Sequence, residues 1–353
     1  MYEPKYQITN SLLNNIVKLE VEKSEIENAP MPTKVRNNLA KRAKMLNVFH
    51  FGHIIGVKLT LKDAKKISEG KKLVTDDARG TILNNYRNVL EFTRSNISDS
   101  YIDIDLSILI HLNKILLTDW RETWESKFRT GGEEVDLTLE NWATLRDQSI
   151  DSIEIQNRVV ELLDWYKSSM SKVHNLIRVG IFIERLIEIS PFIFSNKLTC
   201  MAIADFLLYK AGYIAKSFLP TSRNFDVYED EYLETWNQKR NKPDGQAEPD
   251  STLWLERFVR NLANDMVETK EEMSKTVNEE DKASKKPFLD LNKRQLKILR
   301  YLQTIPTLKR EDYVQMMDVS TMTAYRDLNE LVEKKLVKIE GQGRGTKYML
   351  SHR

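Results

Sequence analysis

Near the C-terminus stand Ser320, Thr321, Thr323, Tyr325, Arg326, Arg344 and Lys347, hydroxyl and cationic side chains whose chemistry suits phosphates and base edges. Ser320 is a good N-cap for the run TMTAYRDLNELVEKK. With Thr321 it can donate to a phosphate at the start of that helix, where free backbone N–H groups also point outward. A helix laid in a major groove with this end foremost presents Thr321, Thr323, Tyr325 and Arg326 to the bases. A guanidinium at Arg326 can hold guanine bidentately or grip a phosphate. Arg344 and Lys347 belong to a glycine-rich turn and the run after it, placed to touch the backbone or the minor groove. The remaining chemistry-bearing residues are less organised. His50, His53, His111 and His174 have no metal-ligand spacing and read as structural or surface histidines, and His352 lies in the terminal tail. Cys200, on an apolar helix, reads as a buried small residue rather than a nucleophile.

The elements that must hold these residues follow from apolar periodicity. LNKRQLKILRYLQ predicts a helix with Leu291, Leu296, Ile298, Leu299 and Leu302 as its stripe. LKREDYVQMMDV predicts a second, Asp318 and Val319 a short turn, and the Ser320-capped run a third helix with Ala324, Leu328 and Leu331 facing inward. LVKIEGQGRGTKYMLS predicts a β-hairpin with glycines at its tip. Helix, helix, turn, helix, hairpin is the order of a winged helix–turn–helix. Residues 288–353 carry 13 Lys and Arg against 8 Asp and Glu, a net of +5, which leaves the rest of the chain at −3. A basic module on a slightly acidic body points to DNA. The alternative is a protein-contact or dimerisation module, since the charge is modest and Asp327 and Glu330 lie on the same helix as Arg326.

Length and composition bound the rest. At 353 residues, 41% apolar and 30% charged, the chain has room for two or three globular domains. No apolar run approaches the roughly 20 residues of a membrane helix, and MYEPKYQITN carries no apolar signal segment. A single cysteine excludes an internal disulfide. The expectation is a cytoplasmic, mainly α protein with no membrane association. Helices are predicted up to about Pro30, over Val35–Phe49, from Leu61 to Glu69 behind a Thr60 cap, and over Asp76–Ser95 and Ile104–Thr118. Others follow over Ile153–Ser169, Asn175–Ile189, Met201–Gly212, Glu229–Gln238 and Leu253–Val267. Asn175–Ile189 is apolar on nearly every face and is expected to be central and buried. Lys127–Val135 breaks the rhythm with Gly131-Gly132 and predicts a turn between short extended arms.

Between two of these helices lies ISPFIFSNKLTCM, Ile189–Met201. It resembles the signature loop of the Fic family, which runs from His-Pro-Phe through an acidic residue and Gly-Asn-Gly to arginines. Pro191, Phe192, Asn196 and Thr199 fit. Ser190 stands at the catalytic histidine, Phe194 at the metal-binding carboxylate, Ser195 and Lys197 at the glycines, and Leu198 and Met201 at the arginines. HNLIR at His174–Arg178 is similar to the opening of the family's central helix. Lys127, Phe128, Arg129, Thr130 and Gly131 resemble the flap that clamps a target segment by strand pairing. Gly56, Leu59, Thr60 and Leu61 fit the end of the family's inhibitory helix, with Ile55 at the inhibitory glutamate and Val57 at the asparagine.

The resemblance implies a Fic-like helical bundle with a small flap hairpin, followed by the winged helix–turn–helix that such proteins often carry. The corresponding expected domains are a helical N-terminal region over 1–75, the Fic-like domain over 76–268, a linker over 269–287 and the winged helix over 288–353. An active member transfers AMP from ATP to a protein hydroxyl, which needs a base, a carboxylate for Mg²⁺, a bare-amide anion cradle and a phosphate-neutralising arginine. Serine, phenylalanine, lysine and leucine meet none of these at Ser190, Phe194, Lys197 and Leu198. The expectation is therefore a catalytically inactive scaffold without cofactor, its loop a packed junction in which Asn196 caps the next helix. It would act as a DNA-binding transcriptional regulator or signalling protein, as a homodimer, with a possible protein partner at the flap and old cleft. The alternatives are a diverged nucleotidyl- or phosphotransferase using ATP and Mg²⁺, or a pure interaction module.

Overall fold

The computed structural model describes residues 2–29, 31–95, 103–130, 150–214, 218–240, 250–289, 291–341 and 343–351. It divides into two compact units, Met1–Met273 and Ser274–Arg353. Among the described residues the fold is helical, with one two-stranded sheet in the second unit.

The first unit opens with α1 (Asn10–Asn28), α2 (Thr33–Ile54), α3 (Leu61–Ser68), α4 (Arg79–Ser95) and α5 (Leu106–Leu117). It continues with α6 (Ile155–Ser168), α7 (Asn175–Ile189), α8 (Asn196–Lys210), α9 (Thr221–Val227), α10 (Glu229–Arg240) and the first part of α11 (Thr252–Leu289). Local chemistry starts several of them. The hydroxyls of Thr9 and Thr60 accept from the Leu12 and Asp63 N–H groups, and Asp105 accepts from that of Ile108. Past the end of α8, Gly212 has φ 87°, the left-handed geometry that stops a helix and suits a residue without Cβ.

Helix α8 is the hub, packed against α4, α5, α7 and α9. Its residues Asn196 through Leu208 are all buried, and α7 is buried on nearly every face, as its sequence requires. Gly180 lets α11 approach α7 closely: a Cβ there would lie 2.7 Å from Leu255 Cδ2. Across that contact the Trp254 indole donates to the Gly180 carbonyl at 2.8 Å.

Three expectations need correction. Helix α8 begins at Asn196 rather than Met201, because the whole Ser195–Cys200 stretch is buried and its backbone must be paired internally. The short α9 breaks no strong polar run and was not expected; Asn47 Oδ1 accepts from the Ser222 N–H in its first turn, a contact with α2 that sequence periodicity does not register. The residues expected to link the two parts, 269–287, are helical as part of α11. The unit boundary falls within that helix.

The second unit holds α12 (Lys293–Thr304), α13 (Arg310–Met317), α14 (Thr321–Glu333), β1 (Val337–Glu340) and β2 (Lys347–Leu350). Strands β1 and β2 are antiparallel, Val337 opposite Leu350 and Glu340 opposite Lys347. Leu308 adds one bridge to Tyr348, giving the sheet a third, short edge. Ile298, Leu299, Leu302, Leu308, Tyr313, Ala324, Leu328, Leu331, Val337 and Tyr348 form its core. Helix α14 packs on α12, α13 and β1, so the helix–turn–helix is braced from both sides.

Candidate functional site

The Ser190–Met201 loop is the first candidate. Ser190 follows α7 in the left-handed region (φ 44°), and its Oγ donates to the Ile187 carbonyl at 2.7 Å. Ser195 is left-handed as well (φ 59°) and precedes α8. Its Oγ is buried with no hydrogen-bond partner among the described residues. Asn196 does not cap α8. Its side chain bonds both ways to the backbone of Phe192, accepting from the N–H and donating to the carbonyl, each at 2.8 Å. A carboxamide offers a donor and an acceptor together, so it closes the loop where an N-cap would supply only an acceptor.

Buried groups from elsewhere complete the junction. The Arg129 guanidinium donates to the carbonyls of Ser190 at 2.9 Å and Ile189 at 3.1 Å, and its backbone N–H to that of Pro191 at 2.9 Å. Phe128 bridges Phe192 in antiparallel fashion. The start of the expected flap, Lys127–Thr130, is thus paired in part with the loop; Gly131 lies outside the described residues. Asn113 donates to the Phe194 carbonyl at 3.0 Å and to Thr199 Oγ1 at 2.9 Å. The Phe194 ring lies under the Arg121 guanidinium, 4.2 Å from its carbon, where a cation–π contact holds it. Arg121 also borders an open cavity of about 540 Å³ with Lys114, Thr118, Trp120 and Glu122. Lys197 is buried and its ammonium pairs with Glu229 at the start of α10. Leu198 and Phe192 are core residues.

The neighbouring family-like positions also make internal contacts. His174 caps α7, accepting from the Leu176 N–H. Arg178 is buried, donating to Ser169, Asn175 and the Tyr166 carbonyl while stacked on the Tyr166 ring. Ile55 is buried at the end of α2, and Gly56 has φ 74°. Among the described residues no group of His, Cys, Asp or Glu is arranged to hold a metal ion.

The second candidate is the helix–turn–helix. Asp318 makes the turn in the left-handed region (φ 50°), and Ser320 caps α14, accepting from the Thr323 N–H at 3.1 Å. Ser320 Oγ and Thr323 Oγ1 also share a hydrogen bond of 2.9 Å, so these hydroxyls serve the helix start first. Thr321, Met322, Tyr325 and Arg326 are exposed along the outer face. Arg326 has no ion pair or hydrogen bond among the described residues. Tyr325 is capped from one side by Arg310, whose guanidinium carbon is 5.2 Å from the ring centre. Lys347 is exposed at the start of β2. Arg344 lies in the Gly343–Gly345 turn, and its side chain lies outside the described residues.

Of the three acidic residues of α14, Asp327 is turned into the core, Glu330 is partly buried and paired, and Glu333 is exposed. Asp327 is buried, accepting from Asn292, Arg294 and Tyr313, each at 2.8 Å. Burial pushes its carboxyl up, but the hydrogen bonds from Arg294, Tyr313 and Asn292 outweigh it and hold the group below its ordinary value. Glu330 accepts from Lys334 at 2.7 Å and Gln295 at 2.9 Å. Asp327 thus ties α14 to α12 and α13, and Glu330 ties it to α12 through Gln295. Sequence reasoning missed Met322 and Arg310; the three-residue spacing of Met322 and Tyr325 was the available signal for the former.

Comparison with known proteins fits both units. A crystal structure of a Fic family protein from Desulfovibrio desulfuricans superimposes with a TM-score of 0.61, covering 100% of this chain and 99% of that one at 16% identity. The chain has the Fic fold. A Fic domain containing signaling protein from Bacteroides thetaiotaomicron matches 75% of this chain and 98% of its own length, with a TM-score of 0.57 and 17% identity. Fic-1 from C. elegans matches 75% of this chain and 72% of its own, with a TM-score of 0.54 and 16% identity. The family model of a DeoR-like helix-turn-helix domain matches residues 294–342. No curated protein matches in sequence. The Fic fold and the helix–turn–helix expected from the sequence are thus both present. No described helix is long and apolar enough to cross a membrane.

Proposed function

We propose that this chain is a DNA-binding transcriptional regulator whose Fic-like body has given up AMP transfer. The observation that carries the reading is α14, within the span matched by a DeoR-like helix-turn-helix, whose outward face exposes Thr321, Tyr325 and an Arg326 without a partner among the described residues, while Asp327 is turned into the core. Ser320 and Thr321 offer phosphate contacts at the helix start, and Arg344 and Lys347 offer backbone or minor-groove contacts from the wing. Two copies acting as a homodimer would read two half-sites about one helical turn apart.

The inactive body is supported by where its polar groups are engaged. A general base needs a pKa near the working pH, and a serine hydroxyl hydrogen-bonded to the Ile187 carbonyl has none. Phe194 supplies no oxygen for Mg²⁺. The Lys197 ammonium is committed to Glu229, and Leu198 adds no charge to the core in which it lies. The body serves instead as scaffold and as the surface for a protein partner at the flap and cleft.

Incubation of the purified chain with fragmented genomic DNA, followed by sequencing of what is retained at low and near-physiological salt, tests the reading. A narrow set of salt-resistant fragments supports it. Absent or sequence-blind retention by folded protein overturns it in favour of a protein-docking winged helix. Mass transfer from ATP to a protein substrate would overturn the inactive body separately.

A further inference from the structure

The outer face of α14 is not uniformly polar. Met322 is 62% exposed and Tyr325 44% exposed. Three residues apart, they lie side by side on the helix surface, next to Arg326. Water is a poor environment for a thioether and a phenol ring on one face, and inside this unit the remaining large apolar side chains of α14 are packed into the core. Helix α13 supports the pair. Arg310, its first residue, lays its guanidinium over the Tyr325 ring, and Arg310 Nε is buried with no hydrogen-bond partner among the described residues. The cation–π contact restrains the ring, which stays 44% exposed.

In a major groove the base edges offer donors and acceptors, and one apolar group, the 5-methyl of thymine. Arg326 matches the acceptors of guanine; Met322 matches no polar edge, and the Tyr325 ring, its hydroxyl aside, offers only an apolar face. We propose that Met322 and Tyr325 read thymine 5-methyl groups, with Arg310 acting as the positioning residue that holds the Tyr325 ring. This rests on the reading of α14 as a DNA-recognition helix, and it specifies the sequence that helix selects: thymines beside the guanine taken by Arg326.

The test uses the full chain and the DNA site recovered by the retention experiment. Each thymine of the site is replaced in turn by uracil, which pairs identically and lacks only the methyl group, and affinity is measured by fluorescence anisotropy. Two thymines per half-site are expected to lose roughly fourfold in affinity each, the fold-change for exposing one methyl group. Met322→Ala should erase the thymine–uracil difference at one of them and Tyr325→Ala at the other, with guanine preference retained. Arg310→Gln should reduce the difference at the Tyr325 position, with Tm unchanged. Site-specific binding indifferent to every uracil replacement overturns this inference and leaves the DNA-binding reading standing. Uracil effects that survive both Met322→Ala and Tyr325→Ala overturn it too. Absence of site-specific binding overturns both.

Discussion

The Ser190–Met201 junction and the Asp318–Arg326 junction are built alike but differ in where their polar groups go. Each joins two helices through a left-handed residue that is not glycine, Ser190 and Ser195 in one and Asp318 in the other. In the first, almost every polar group is turned inward: Ser190 onto Ile187, Asn196 onto Phe192, Lys197 onto Glu229. In the second, among the described residues, only Ser320 and Thr323 are bonded to each other at the helix start, while Thr321, Tyr325 and Arg326 are left at the surface. A polar group that already has a buried partner cannot also be offered to a ligand without breaking that bond. Under the function proposed above, the inward junction is structure and the outward one is the recognition surface.

The sharpest way to break this contrast is Arg129→Ala. The buried guanidinium holds the Ser190 and Ile189 carbonyls, so its loss should cost about 3 kcal/mol by leaving buried acceptors unpaired. Urea unfolding measures it; a change within about 0.5 kcal/mol would mean the loop does not depend on its internal hydrogen bonds.

Asp327→Ala comes next, with an expected loss of about 2 kcal/mol in the second unit, since the Tyr313 hydroxyl loses its acceptor. Its acid dependence has a definite sign. The folded carboxyl titrates below its ordinary value of 3.8, so its stabilisation is present above that value and lost as pH falls through the lower folded one. Asp327→Asn should flatten this acid-side loss, followed by circular dichroism against pH.

Arg326→Ala should weaken binding to the retained DNA by about tenfold or more with Tm unchanged, the range expected for one bidentate base contact. Arg344→Ala and Lys347→Ala should weaken binding evenly across sequences and lower the salt slope by about 1 each. Equal affinity for Arg326→Ala and the parent chain would remove the distinction between the two junctions.

The smallest effect is a gain. Ser195→Gly should stabilise the chain by about 1 kcal/mol, because it relieves a left-handed residue and removes a buried hydroxyl without a partner. Ser190→Gly should gain nothing, since the Oγ bond to Ile187 is lost along with the strain. Thermal unfolding of the two variants side by side separates these cases.

What was legible in the sequence was local. Thr60 and Ser320 cap helices because a hydroxyl reaches N–H groups two or three residues on, and Gly212 stops α8 because of its own φ. Helix α7 is central because its composition leaves no polar face. The family-like loop was legible for the same reason, as a short run of residue types in a fixed order. Short α9 and the true start of α8 were not, since neither has a strong periodic signal of its own.

By itself, then, the sequence determined helices, caps, the order of elements in the winged helix and the absence of a histidine and a carboxylate at Ser190 and Phe194. Tertiary structure decided which polar groups are available. Arg129 meets Ser190 across 61 positions of chain and Arg294 meets Asp327 across 33, and nothing in either local run records the encounter. Hydrogen bonds of this kind act between groups that only folding brings within about 3 Å, so whether a side chain is spent inward or offered outward is fixed by packing and not by residue type.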